Sequence, residues 1–269
     1  MSNSASPVEF LYGHLTTGEM KQAIAAERVV LIPIGSMESH GLHLPLDTDS
    51  TLAWNMAVET GRRIPELVLV TPTIPFTFDA HFMDYPGTIG VQSETLLSYL
   101  MDIGKSIAHH GFKRMIFVNG HGTNIPYLTI VSLRLSIETN ALCTHVSSVS
   151  HLDAVNQVRK SAFPGGISHA CEMETSLMLY VDPDHVQMDK AQAEMNFPRG
   201  KYFWRDMGPR APIDVVGWWS SYSDTGTSGD PTLATIEKGQ FLYNAEVGRL
   251  VEFISEFRAL EWRRRRDRH

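Results

Sequence analysis

The chain has 269 residues, 43% of them hydrophobic and 20% charged, which supports a sizeable core and excludes a disordered polymer. Its 23 basic and 30 acidic residues leave a formal net charge of −7. That balance argues against nucleic acid as a partner, because a duplex-binding protein presents a basic face.

Residues Met1 to Pro7 are polar and lack the apolar stretch of a signal peptide. No apolar run approaches the roughly 18 residues of a membrane span. With only Cys143 and Cys171 present, a disulfide framework is also excluded, and the expected location is the cytoplasm.

In chain order, Arg28 to Ile34 (RVVLIPI) is β-branched, ends at Gly35 and predicts a buried strand. Asp49 to Arg63 places Leu52, Met56, Ala57 and Thr60 at helical spacing behind Asp and Ser residues suited to capping. Leu67 to Pro75 predicts a second strand that stops in prolines. A helix follows from Ser93 to His110, closed by Gly111, and then a third strand, Arg114 to Val118.

The pattern then predicts helix over Pro126 to Glu138, strand over Leu142 to Val149, helix over Glu172 to Tyr180 and a last amphipathic helix over Ala234 to Arg258. Between the final two helices, Phe197 to Pro231 is rich in Gly, Pro, Ser, Asp and aromatics, lacks a period, and reads as a long ordered loop or lid. The run Arg263-Arg264-Arg265-Arg266 is a solvated tail or a contact for an anionic surface. Strands alternating with helices predict one α/β domain over residues 1–269, with a largely parallel sheet. Ligands gather beyond the carboxyl ends of such strands, so the polar residues just after them carry the chemistry.

Three segments answer that description. The loop Gly35 to Asp49 (GSMESHGLHLPLDTD) holds Glu38, His40, His43, Asp47 and Asp49. They are either solvated polar residues or donors for a borderline divalent metal. After the third strand, Asn119-Gly120-His121-Gly122-Thr123-Asn124 exposes His121 on a glycine turn. The third segment is His169-Ala170-Cys171-Glu172-Met173-Glu174-Thr175-Ser176. Its two glutamates lie two residues apart and would point to different sides of a helix. They are either first-turn acids favoured by the helix dipole or site residues. Taken together, Glu38, Asp49 and Glu172 with His40 and His121 fit a two-metal site with one bridging carboxylate.

These motifs resemble the creatininase (creatinine amidohydrolase) family. Beside the three segments, DYPGT at Asp84 to Thr88 and GDPTLATIEKG at Gly229 to Gly239 fall in the family's order. The resemblance implies a three-layer αβα sandwich with two divalent ions, zinc or manganese foremost and iron as a further option. It also implies a small-molecule substrate and a homo-oligomer, hexameric by family likeness.

Carried over by motif, Glu38 and His121 bind one metal, His40 the other, and Asp49 bridges. In creatininase proper a glutamate two residues after the NGH histidine completes the second metal's shell; here that position is Thr123. Relatives with a small residue there carry a glutamate in the HAGE-type segment, which assigns the missing ligand, and a catalytic part, to Glu172. His169 matches the histidine that shuttles a proton to the leaving group, and Glu174 orients its neighbours.

Ser150-His151 and Gly165-Gly166 stand near positions where creatininase proper has tryptophans, which argues against creatinine itself. Trp204, Trp218 and Trp219 are either pocket wall or packing, and Asp79 and His81 either line the entrance or lie on a surface loop. The implied reaction is metal-dependent hydrolysis of a C–N amide, in a ring or an N-acyl or N-formyl group. The runner-up is C–C hydrolysis of a cyclic diketone or keto-inositol. A metal-free amidase with Cys171 as nucleophile is a further class, and a structural metal is a fourth that the cysteine-poor donor set disfavours.

Overall fold

A computed structural model describes residues 8–147, 152–208, 211–261 and 266–269. Its centre is a four-stranded parallel sheet in the order β2-β1-β3-β4, formed by β1 (Val29–Ile34), β2 (Val68–Val70), β3 (Arg114–Asn119) and β4 (Leu142–Ser147). Because side chains alternate along a strand, Val30, Ile32 and Ile34 enter one apolar layer and Val29 and Leu31 the other. The first layer is covered by α3 (Ser93–His109) and α4 (Asn124–Glu138), the second by α2 (Thr48–Arg63) and α7 (Ile236–Ala259). The result is the expected three-layer αβα sandwich.

Several elements exceed or fall short of the sequence reading. β2 is shorter than predicted, because Pro72 and Pro75 cannot donate to a ladder; beyond it only Ile74 makes a bridge, to Ile34. α1 (Thr17–Ala25) was not predicted, although Thr16 and Glu19 form a capping box at its start. α5 (Leu152–Val158) and the antiparallel pair β5 (Ile167–His169) and β6 (Ser228–Gly229) were also not predicted. α6 (Glu172–Val181) packs against α7. Ser150, His151 and Arg263 to Arg265 lie outside the described residues, so the readings placed on them have no structural counterpart here. Among the described residues no helix is long and apolar enough to cross a membrane.

Close backbone approach brings the strand ends to α2. A Cβ on Gly35 would lie 2.3 Å from the Ser50 amide nitrogen, and one on Gly120 would lie 2.1 Å from the Asp49 carbonyl oxygen. Both neighbours are helix backbone and cannot rotate away. Replacing Gly120 by Ala is therefore expected to cost about 2 kcal/mol of stability, within the usual range for overpacking. Urea unfolding measures this, and a loss under about 0.5 kcal/mol, the size of an inert surface change, would show that the approach is not tight.

Candidate active site

The loop after β1 folds back on itself through the Glu38 amide, which donates to the Leu46 carbonyl at 3.0 Å. After β3, Asn119 fixes the turn that carries His121: its Oδ1 accepts from the His121 amide at 3.1 Å, and its Nδ2 donates to the His121 carbonyl at 2.7 Å. Asn124 Nδ2 ties this turn to the Gly35 carbonyl at 2.9 Å. The loops beyond β1 and β3 are thus one hydrogen-bonded unit, and Glu38, His40, Asp49 and His121 converge inside it.

The convergence is tight. His40 Nε2 lies 3.1 Å from Asp49 Oδ1, and His121 Nδ1 lies 2.9 Å from Asp49 Oδ2 and 3.0 Å from Glu38 Oε1. Ser36 Oγ donates to Asp49 Oδ2 at 2.8 Å. Asp79, one of the two residues the sequence left between entrance and surface, is buried with Oδ1 3.0 Å from His121 Nε2.

Three overlapping groups have donor atoms mutually within 4.8 Å: Glu38, His40 and His169; Glu38, Asp79 and His121; and His40, Asp49 and Glu174. Glu38, Asp79 and His121 also retain buried polar atoms with no aligned hydrogen bond, both Glu38 oxygens among them. Short distances without alignment mean that these groups point at shared points of space rather than at each other. Buried oxygens and imidazoles so placed fit divalent cations.

Glu174, not Glu172, joins the cluster. The Glu172 carboxylate is fully buried elsewhere, accepting from the Lys160 amide at 3.0 Å and the Ser161 amide at 2.8 Å and pairing with Lys238 Nζ. Two residues apart on α6, the glutamates face opposite ways, as helical geometry requires. The sequence reading places Glu172 there; motif position does not carry direction, and the structure brings Glu174 to the cluster instead. Lys238 on α7, far along the chain, was the missing signal. His43 also stays apart, with Nε2 2.9 Å from Thr175 Oγ1.

The charges follow from burial and neighbours. Burial raises the Glu38 carboxyl to about 7 despite His121, and burial raises Glu174 to about 7. Burial would depress His40, but Asp49 and Glu38 outweigh it and hold it up at about 9. His121 is likewise raised despite burial, by Glu38 and Asp49, and burial with the His40 charge pushes His169 well below its ordinary value. Protons and acids thus share the space that cations would neutralise.

His169 comes from β5, before Ala170, which holds a left-handed φ of 48°. Its Nε2 lies 2.7 Å from the Ser39 carbonyl oxygen. A carbonyl only accepts, so Nε2 bears the hydrogen and Nδ1, 3.8 Å from Glu38 Oε1, is the free base. A cavity of about 420 Å³ opens over this group, walled by Phe82, His81, Trp204, Arg205 and Trp219. Trp219 stacks on Phe82 with centroids 4.7 Å apart, while Trp218 is exposed. Two of the three tryptophans of the aperiodic segment are therefore cavity wall.

The fold and the group at its strand ends define an α/β protein with a buried His/carboxylate pocket competent for metal. The chain belongs to the creatininase family: the family pattern for creatinine amidohydrolase matches residues 13–254. It is 30% identical over 261 residues to the mycofactocin precursor peptide peptidase of Mycobacterium tuberculosis, covering 91% of this chain and 92% of that one. It is 26% identical to the creatinine amidohydrolase of Pseudomonas putida over 91% and 95% of the two chains. A manganese form of creatininase superposes with a TM-score of 0.77 at 25% identity, covering 93% of this chain and 98% of that one. The relatives are hydrolases, and the family places this chain among them.

Cys171 does not suit a nucleophile. It is fully buried, and burial together with the Glu174 charge pushes its thiol far up, against thiolate formation. The native protein is expected to leave Cys171 unmodified by a thiol reagent until it unfolds, as read by mass spectrometry; rapid native labelling would contradict the burial.

Proposed function

We propose that this chain is a binuclear metal-dependent hydrolase of C–N amide bonds. Glu38 and His121 would hold one divalent cation, His40 and Glu174 the other, and Asp49 both. The observation that carries the reading is the buried Glu38 carboxylate, whose two oxygens have no aligned hydrogen bond while His40, His121 and His169 surround it. A carboxylate in that state is costly unless a cation compensates it. Zinc and manganese suit the mixed donors, and both occur in similar creatininase structures.

Divalent cations there supply Lewis acidity toward a carbonyl and a water that ionises near neutral pH. The chain's own residues do the rest. Ser36 holds Asp49 in orientation, and Asn119 fixes the turn that carries His121. His169, neutral with a free Nδ1, takes the proton of the attacking water and passes it to the departing nitrogen. Phe82 and Trp219 pack against the His169 ring, at 4.6 and 5.2 Å between centroids, and keep it in place.

The substrate class is a small polar amide, and the similarity to the mycobacterial precursor peptide peptidases extends it to the amide of a peptide. C–C hydrolysis is the second reading, favoured by 23% identity to the 3-dehydro-scyllo-inosose hydrolase of Thermotoga maritima over 87% of this chain and 79% of that one. Release of an amine, against release of a carboxylate without amine, separates the two.

Metal content of protein purified without chelator tests the site. About two ions per chain are expected in the wild type, as in binuclear hydrolases, and Glu174→Gln should lose one of them. Glu172→Gln should retain both, yet unfold with a loss of about 3 kcal/mol because it strands the Lys238 charge. The reverse pattern, metal lost only on changing Glu172, would overturn the ligand set.

A further inference from the structure

The wall of the cavity carries one cation whose position no part of this chemistry uses. Arg205 lies in the aperiodic segment, with its guanidinium carbon 4.6 Å from the Trp219 ring centre and 4.8 Å from that of Phe197. Its one hydrogen bond to a described residue is to the Val215 carbonyl, at a long 3.4 Å. Asp214 shares the cavity and attracts Arg205, but makes no ion pair with it within 4 Å among the described residues. Most of the five guanidinium N–H donors therefore lack a protein acceptor in the described structure.

The side chain is also preorganised. The next residue, Asp206, accepts both Arg159 Nη1 and Nη2, at 2.9 and 2.8 Å, and the amides of Gly165 and Gly208, both at 2.8 Å. That carboxylate is saturated and pins the segment to the turn before β5. On the other side, the Trp219 indole donates to the Gly226 carbonyl at 3.1 Å. The same indole touches His169 with centroids 5.2 Å apart, so Arg205 sits one ring away from the proposed proton carrier.

We infer that Arg205 is a specificity residue that receives a carboxylate of the substrate, and that the amides this site takes bear such a group, as N-acyl amino acids and peptide ends do. This rests on the amide-hydrolase reading of the site. A guanidinium stacked on aromatic faces leaves its edge to bind, and that edge matches the two oxygens of a carboxylate. Stacking also replaces part of the hydration the cation loses.

The test uses the metal-loaded protein and three pairs of probes: N-acetylglycine, N-acetyl-β-alanine and N-acetyl-4-aminobutyrate, each against its own primary amide. Calorimetry measures binding, and product analysis follows hydrolysis in parallel. In the wild type at least one acid is expected to bind about tenfold or more tighter than its amide, the scale of a charge-assisted pair. Arg205→Met should bring that ratio near one, and Arg205→Lys, which keeps charge without the fork, should retain part of it.

Ratios near one in the wild type would overturn the assignment without any variant. So would a ratio that survives in folded Arg205→Met, or tighter binding of N-acetyl-2-aminoethyl phosphate than of every acid. Acid preference with no hydrolysis of any probe would uphold Arg205 and count against amide hydrolysis; hydrolysis of acid and amide alike would do the opposite.

Discussion

The structure is organised around a concentration of buried acid. Glu38, Asp49, Asp79 and Glu174 share one pocket, each at most 5% exposed, and carboxylates are almost never taken so far from water without compensation. His40 and His121 supply part of that compensation as held protons. Both hydrogen-bond Asp49, at 3.1 and 2.9 Å, while the Glu38 oxygens and Asp79 Oδ1 stay without an aligned partner. Much else in the chain keeps those acids where they are. The parallel sheet brings the loops after β1 and β3 side by side, the Gly35 and Gly120 contacts press them on α2, and Asn119 and Asn124 lock them with hydrogen bonds. Moving any of these elements would leave charge in the core without its partner.

That constraint also explains what could be read from the sequence. Glu38, His40, Asp49 and His121 were legible because each follows a strand or opens a helix, and a parallel sheet places such residues at one edge. The first layer of the sandwich was legible in the β-branched runs. Which of Glu172 and Glu174 faces the cluster was not, because it depends on which side of α6 meets α7, where Lys238 pairs with Glu172 from a position 66 residues later. Asp79 was left undecided for a similar reason: it follows the prolines that end β2, and only the close pass of that chain behind His121 makes it part of the site. The short strands β5 and β6 carry too few residues for a period to show.

The aperiodic stretch after α6 shows most clearly where periodicity stops being informative. It has little regular structure of its own, yet it is held by two carboxylates whose oxygens are heavily used. Glu194 accepts from the Ser223 hydroxyl, the Asp224 and Thr225 amides and the Thr225 hydroxyl, and its backbone pairs with Gly229. Asp206 does the same for the turn at Gly165 and Gly208. Hydrogen bonds to charged acceptors are the strong ones, so a segment with little helix or strand is fixed at two points by side chains instead.

The two anchors bracket the residues that face the cavity, Arg205 and Trp219. Rigid walls contribute to selectivity what a mobile lid cannot, since a group already in place spends no ordering entropy on its ligand. Relatives of this chain are named for different substrates, a peptide, a creatinine and an inosose. Family membership therefore leaves the discrimination to features of the individual chain. On the proposed reading its physical site here is the wall that Glu194 and Asp206 hold over the buried acids, where one stacked guanidinium and one indole face whatever approaches His169.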